Sequence, residues 1–455
     1  LDSLVGDRAS IPDGARTADG LAHHAGFVAA LLAGGDSRIR LDPATATNKY
    51  LCPPRPSEAL ACFASCTASP IGRAGFERAA LTYQDIVGAS SARGRAARLA
   101  RYRRDIATRL LRYYHASGIA EAILAPSGTD ALMTATLLIA SERPGEPITS
   151  ILPCVAETGS GVPLAATGRQ FDGPGAGLAL SEAAIVTAEI RLRDPAGRPR
   201  PADELQDAYA LAVATAAAAG RRPLIYLTHG TKTGLIAPAV PPDGADVIVD
   251  ACQARIAPET VLFYLQRGWP VVVTGSKFMG GPAFSGAVLL PIARPCAQAS
   301  LGSRGAGATL GSVLRWTAAI DVMDAFEARA DEMAPLLRFA EATIARGLAA
   351  LPHVERIAGA EARGEDWADL PSIFTFAVRD PGHPAWLLSA PELRALYQRL
   401  ARHGVLLGQP VDLGGFGGLR IAIGARDVTE DADDARFTRL FDALGAALSV
   451  PRPRW

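Results

Sequence analysis

Short apolar runs recur through the middle of the chain, at 121–126 (EAILAP), 148–155 (ITSILPCV), 183–190 (AAIVTAEI), 223–228 (PLIYLT), 246–251 (DVIVDA), 270–275 (PVVVTG) and 285–290 (SGAVLL). They are rich in Val, Ile and Leu and are continuous rather than alternating, the pattern of strands covered on both faces. Between them, 129–142 and 202–220 carry helical spacing. Such alternation predicts an α/β fold: a mostly parallel seven-stranded sheet sandwiched by helices. The last two runs are close enough to pair as a hairpin, so one strand is expected to run antiparallel. Beyond Pro295, residues 309–351 are dominated by helical periodicity, long enough to leave one domain and enter another. Strand-type runs at 373–378, 404–409 and 419–424 and a helix over 434–448 then predict a smaller α+β domain. The expected division is an N-terminal helical and loop segment (1–95), a large domain (96–308), an interdomain helix (309–335) and a small C-terminal domain (336–455).

Composition narrows the function classes. The 455 residues are 49% hydrophobic and 20% charged with no net charge, which argues against an extended nucleic-acid footprint. No uncharged apolar stretch reaches the roughly 18 residues of a membrane span. The opening LDSLVGDRAS has no basic or apolar region of a secretory signal. Six cysteines without C-x-x-C spacing, and seven histidines without H-E-x-x-H, predict neither a disulfide scaffold nor a metal site. The expectation is a soluble protein of the reducing cytoplasm, with no nucleic-acid or membrane partner.

Positive charge comes almost wholly from arginine; Lys49, Lys232 and Lys277 are the only lysines. Arginine replaces lysine as a charge but not as a primary-amine nucleophile. Lys277 sits in TGSKFMGG, at the exit of an apolar strand. One strand earlier, VIVDACQ ends in Asp250 with Gln253 just beyond. Earlier still, Ser127-Gly128-Thr129 lies between a strand and a helix, where backbone N–H groups and the helix dipole favour an anion. Each feature has a plain alternative: a surface lysine, a solvated acid at the sheet edge, an ordinary N-cap. Together they describe one ligand with a phosphate, a protonated ring nitrogen and an aldehyde, namely pyridoxal 5′-phosphate (PLP). Lys232, which precedes Asp250, fits the amine role less well.

With these motifs the chain resembles the fold-type I PLP-dependent enzymes, in the class V aminotransferase branch that includes cysteine desulfurases and kynureninases. The resemblance spans about 95–430. It implies Lys277 as the Schiff-base lysine, Asp250 on the ring nitrogen and Gln253 near the ring oxygen. Ser127, Gly128, Thr129, Thr274 and Ser276 are implied at the phosphate. In GGLRIAIG it implies Arg420 as the clamp for a substrate carboxylate, although a strand-edge arginine is the equal alternative. His229 and Lys232, at the exit of the 223–228 strand, either orient substrate or are structural. The segment TNKY (47–50) is either an arm reaching the site or a turn. The resemblance also implies a homodimer with shared sites, in which 302–309, ending in Thr309, reaches the partner's cofactor phosphate. Two departures stand out. The stretch 153–163 has no ring to stack on the cofactor and offers Glu157, Thr158 and Ser160, so Thr158 is the candidate for that face. No cysteine follows Cys296, so the persulfide chemistry of desulfurases is not expected.

The expected activity is that of an aminotransferase on a small amino acid or amine. A lyase or synthase is the alternative, and a non-catalytic PLP-fold binding protein is the alternative of another class. A nucleotide-binding α/β protein would need a G-x-G-x-x-G or G-x-x-x-x-G-K-[ST] motif after an early strand, and neither stands there.

Overall fold

The computed structural model describes residues 18–172, 177, 179–181, 183–294, 309–380, 382–430 and 434–449. After a short strand β1 (Ala61–Phe63), the seven apolar runs become β2 (Ala120–Ala125), β3 (Ile148–Pro153), β4 (Ile185–Ile190), β5 (Arg222–His229), β7 (Asp246–Ala251), β8 (Val271–Thr274) and β9 (Gly286–Pro291), and a two-residue strand that none of the runs predicts, β6 (Ile236–Ala237), falls between β5 and β7. Their order across the sheet is β2-β9-β8-β7-β5-β3-β4, with β6 paired to the end of β5. Pairings β3–β4, β3–β5, β5–β7 and β7–β8 are parallel. The expected hairpin forms as β8 and β9, and β9 runs antiparallel to both its neighbours.

Both faces of the sheet are covered, which is why these runs do not alternate. Leu224 and Tyr226 of β5, Ile248 of β7 and Val272 of β8 pack beneath the helix Gly128–Ser141. On the other face, Ile225 meets Tyr209 and Val213 of the helix Ala202–Ala218. Leu227, Val249 and Val273 join a larger core that continues into the C-terminal part.

The helix Leu310–Glu327 is buried almost all round. Its Arg315 is enclosed because the guanidinium donates to Phe284 O at 2.7 Å, Leu31 O at 2.6 Å and Ala33 O at 2.8 Å. The last two carbonyls lie at the end of the helix Ala18–Leu32, where a helix leaves acceptors unsatisfied. A Cβ on Gly275 would stand 2.4 Å from Ala319 Cβ, so only glycine lets the strand exit pass this helix.

The second sheet contains β10 (Val354–Arg356), β11 (Ile373–Asp380), β12 (His383–Leu387), β13 (Val405–Asp412) and β14 (Gly417–Ala422). Its order is β1-β13-β14-β11-β10, with β12 on β11. Thus the N-terminal segment, expected to be helices and loops, also supplies an edge strand, with Ala61–Phe63 parallel to Val405–Leu407. Three residues are too few for a periodicity to reveal. No helix among the described residues is long and apolar enough to cross a membrane.

Candidate active site

A cavity of about 330 Å³ opens where β5, β7 and β8 end, the edge at which open α/β sheets bind ligands. The strand register builds its floor. Thr228 is the Cα partner of Asp250, and Asp250 of Val272, so Thr274 follows two residues on along β8. With a period of two, Thr228, Asp250 and Thr274 share the face of Tyr226, Ile248 and Val272. All three line the cavity. Asp250 is only 6% exposed and accepts from Cys252 N at 3.1 Å. Burial pushes its carboxyl up, while the Lys277 charge pulls the other way.

Lys277 follows in the turn after β8, where Gly280 N donates to Lys277 O and Gly281 N to Gly275 O. Its Nζ donates to Thr67 O and lies 6.0 Å from the centre of the Tyr50 ring. Burial brings its amine down to about 8, helped by the charge of Arg420 and opposed by Cys66. The lysine is therefore poised to lose its proton close to neutral pH.

Ser127 caps the helix Gly128–Ser141: its Oγ accepts from Asp130 N at 3.1 Å and donates to Asp130 Oδ2 at 2.7 Å. Ser127, Gly128 and Thr129, at this helix start, line the cavity, and a helix N-terminus favours an anion. The loop is pressed onto the strands. A Cβ on Gly128 would stand 2.9 Å from Cys252 Sγ and Thr274 Cγ2, and one on Gly286 would stand 2.1 Å from Ser127 O. Gln253 donates to Cys66 O at 3.1 Å, and Thr274 Oγ1 to Cys252 O at 2.7 Å. Two polar atoms of the cavity wall, Thr228 Oγ1 and Gln253 Oε1, are buried without a hydrogen-bond partner. Polar atoms this deep are nearly always bonded, so the wall suits a polar ligand. A helix N-terminus for phosphate, an acid for a ring nitrogen, an amine for an aldehyde and unpaired groups between them fit PLP.

The opposite wall is cationic. Arg420, 3% exposed, donates to Gln409 O at 2.7 Å, Lys232 O at 3.1 Å and Thr67 Oγ1 at 2.9 Å. No carboxylate among the described residues pairs with it. Lys232 Nζ donates to Val155 O at 2.8 Å, and burial, with Arg420, brings its amine down to about 8. Glu157 lines the same wall but is fully engaged by Arg193 Nε at 2.6 Å and by the hydroxyls of Thr231 and Thr233.

Thr129, Thr158 and Ser276 also line the cavity, as do Lys49 and Tyr50 of the 47–50 arm. His229 does not. One residue past Thr228, it faces the other side of the sheet, where Nδ1 lies 3.0 Å from the Tyr264 hydroxyl. Burial lowers its imidazole to about 3, so it is neutral there. Thr309 also lies outside the cavity and caps the helix Leu310–Glu327; the rest of 302–309 falls outside the described residues. Sequence reasoning missed Arg38, Thr67, Arg394 and Gln409, which reach the cavity from the N-terminal segment and the small domain. Only tertiary folding brings them there. Among the described residues no cluster of His, Cys, Asp and Glu is arranged to hold a metal.

No protein-family profile and no curated protein matches the chain. Solved structures do. A cysteine desulfurase of Escherichia coli superposes with a TM-score of 0.52 at 14% identity, over 86% of this chain and 95% of its own. A variant of the cystine C–S lyase C-DES, with glycine covalently linked to its PLP cofactor, gives 0.56 at 13% identity over 85% and 96%. The glutamate decarboxylase domain of a diaminobutyrate–pyruvate transaminase and L-2,4-diaminobutyrate decarboxylase from Vibrio parahaemolyticus gives 0.56 at 15% over 94% and 95%. The chain has their fold. It is the fold-type I architecture that the order of strands, helices and motifs predicts.

Proposed function

We propose that the protein is a PLP-dependent enzyme acting on a small amino acid or amine. The observation that carries this reading is the convergence of Lys277, Asp250 and the Ser127–Thr129 helix start on one cavity. PLP, when bound, supplies a ring that withdraws electrons from the substrate's α-carbon. Asp250 would hold a proton at the ring nitrogen; its burial makes a cationic partner there more favourable than water would. Lys277, with its amine near 8, would capture the aldehyde and afterwards move a proton at the α-carbon. Ser127, Gly128 and Thr129 would seat the phosphate with Thr274 and Ser276. Thr158 would cover one ring face, and Gln253 Oε1 and Thr228 Oγ1 would find their missing partners. Arg420, already held by three neutral acceptors, would take a carboxylate.

For the reaction we put transamination first. A lyase is the second reading, supported by the desulfurase, C–S lyase and decarboxylase activities named for the similar structures. We also infer a homodimer, which light scattering would register at twice the 47.4 kDa of one chain. The free thiols of the five described cysteines suit a reducing cytoplasm.

The test is visible absorption of the purified protein with PLP, for wild type and Lys277→Ala, followed by borohydride reduction and peptide mapping. A visible band in wild type only, with the pyridoxyl label on the Lys277 peptide, is expected. No uptake of PLP, or a label that persists in the variant, overturns the reading. A panel of amines then separates the reactions: pyridoxamine phosphate accumulates in transamination, and ammonia, a split product or carbon dioxide appears with a lyase. Cofactor binding with no turnover of any amine would make the chain a binding protein.

A further inference from the structure

Only three of the 46 lysine and arginine residues are lysines, and all three, Lys49, Lys232 and Lys277, line the same cavity. Lys277 has its use at the cofactor. The other two stand on the substrate side with Arg420 and Arg394. Backbone contacts knit this wall together: Arg420 Nη1 donates to Lys232 O at 3.1 Å, and Gln409 Nε2 to Lys49 O at 2.9 Å. Gln409 O accepts from Arg420 at 2.7 Å.

The one acid of this wall among the described residues, Glu157, offsets part of the Lys232 charge but is spent on a nearer cation. Glu157 already serves Arg193, and Asp250 stands at the cofactor end. Arg38, also on the cavity, is held bidentately by Asp36, Nε donating to Oδ1 at 2.9 Å and Nη2 to Oδ2 at 2.5 Å. Among the described residues no ion pair reaches Lys49, Lys232, Arg394 or Arg420. One α-carboxylate satisfies Arg420 and leaves the lysines unmatched. Like charges gathered without counterions disfavour the empty state and reward a ligand with more than one negative group. An ammonium on a flexible stem also follows an anion of variable length better than a rigid guanidinium fork does.

We propose that the substrate is an amino acid with a second anionic group on its side chain, with Lys232 and Lys49 binding that group while Arg420 binds the α-carboxylate. This rests on the PLP reading above. An aminodicarboxylic acid is the substrate class, and a side-chain phosphonate presents the same chemistry.

The test uses ligands that lack an amine and so cannot react. Calorimetry on the PLP-loaded protein compares succinate and glutarate with butyrate, and 3-phosphonopropionate as a separate arm. Either dicarboxylate is expected to bind roughly tenfold or more tighter than butyrate, and the margin should shrink as salt is raised. Lys232→Met and Lys49→Met should each remove most of that margin and leave butyrate within about twofold. The second variant alters an exposed residue, so a folding failure of the first leaves the test intact. A phosphonate that binds tighter than both dicarboxylates supports the proposal and selects that anion. Equal affinity for dicarboxylates and butyrate overturns it, as does a margin that survives in the variants. Failure of the PLP reading is separately visible as absence of the cofactor band before any ligand is added.

Discussion

Lys277→Met tests the burial of the amine without reference to any reaction. In the cofactor-free protein the ammonium is held at about 8 against an ordinary 10.5, because its surroundings offer one carbonyl and a tyrosine face in place of water. At about 1.4 kcal/mol per pH unit, that gap costs the folded state roughly 3 kcal/mol below pH 8. The sign follows from proton counts. Between the folded and unfolded values the unfolded chain keeps a proton that the folded chain has lost, so stability rises with pH by up to about 1.4 kcal/mol per unit. Below about 8 the penalty is present in full; above 10.5 it has vanished. Methionine removes the charge and keeps most of the stem. The variant should therefore be more stable than wild type at pH 7 by up to ~3 kcal/mol, less a constant packing difference, and the advantage should shrink steadily from pH 8 to 10. Urea unfolding of both proteins at several pH values measures it, and taking the difference cancels the titration of other groups. Curves that stay parallel from pH 7 to 10 would refute the depressed amine.

Two other substitutions probe the frame around the site. Gly286→Ala would drive a methyl to 2.1 Å from Ser127 O, so the peptide that begins the anion site must move. A loss of about 1–3 kcal/mol in urea unfolding and weaker PLP uptake are expected. Gly128→Ala, which meets side-chain atoms only at 2.9 Å, should destabilise less; equal effects would sink the argument. Glu157→Gln leaves the buried Arg193 guanidinium, which also holds Ala358 O at 2.7 Å, without its counter-charge. Thermal or urea unfolding should show a loss of about 3–5 kcal/mol, and a loss below about 1 kcal/mol would mean that Arg193 finds another partner.

The large sheet was legible because a strand buried on both faces writes its burial directly as an unbroken apolar run, as 246–251 and 270–275 do. The hairpin at Gly286 was legible from loop length. The motif residues Asp250 and Lys277 could be placed because each marks the end of such a run. The faces of strand ends were less accessible. Thr228 and His229 are adjacent, and only the register with β7 decides that the hydroxyl shares Asp250's side while the imidazole turns to Tyr264. Thr309 stands in a T-L-G-S stretch that serves equally as a helix cap, which is where the fold uses it. Thr67 and Gln409 carry no signature at all. Thr67 reaches Lys277, Gln409 and Arg420 through contacts hundreds of residues apart in sequence, and Gln409 meets Arg420 from the neighbouring strand.

The parallel pairing of β1 with β13 also sets an order of events during synthesis. Thr67, whose carbonyl receives the Lys277 amine, lies four residues past a strand whose partner is Val405–Leu407. The early segment cannot settle until β13 has left the ribosome. Pairings of such long separation form late and slowly. The chain therefore passes about a quarter of its translation, from β9 to β13, with every strand of the large sheet made and the reactive amine still uncovered. Aldehydes met during that interval would encounter an exposed lysine, and nascent chains truncated before β13 should retain sheet structure without a closed site.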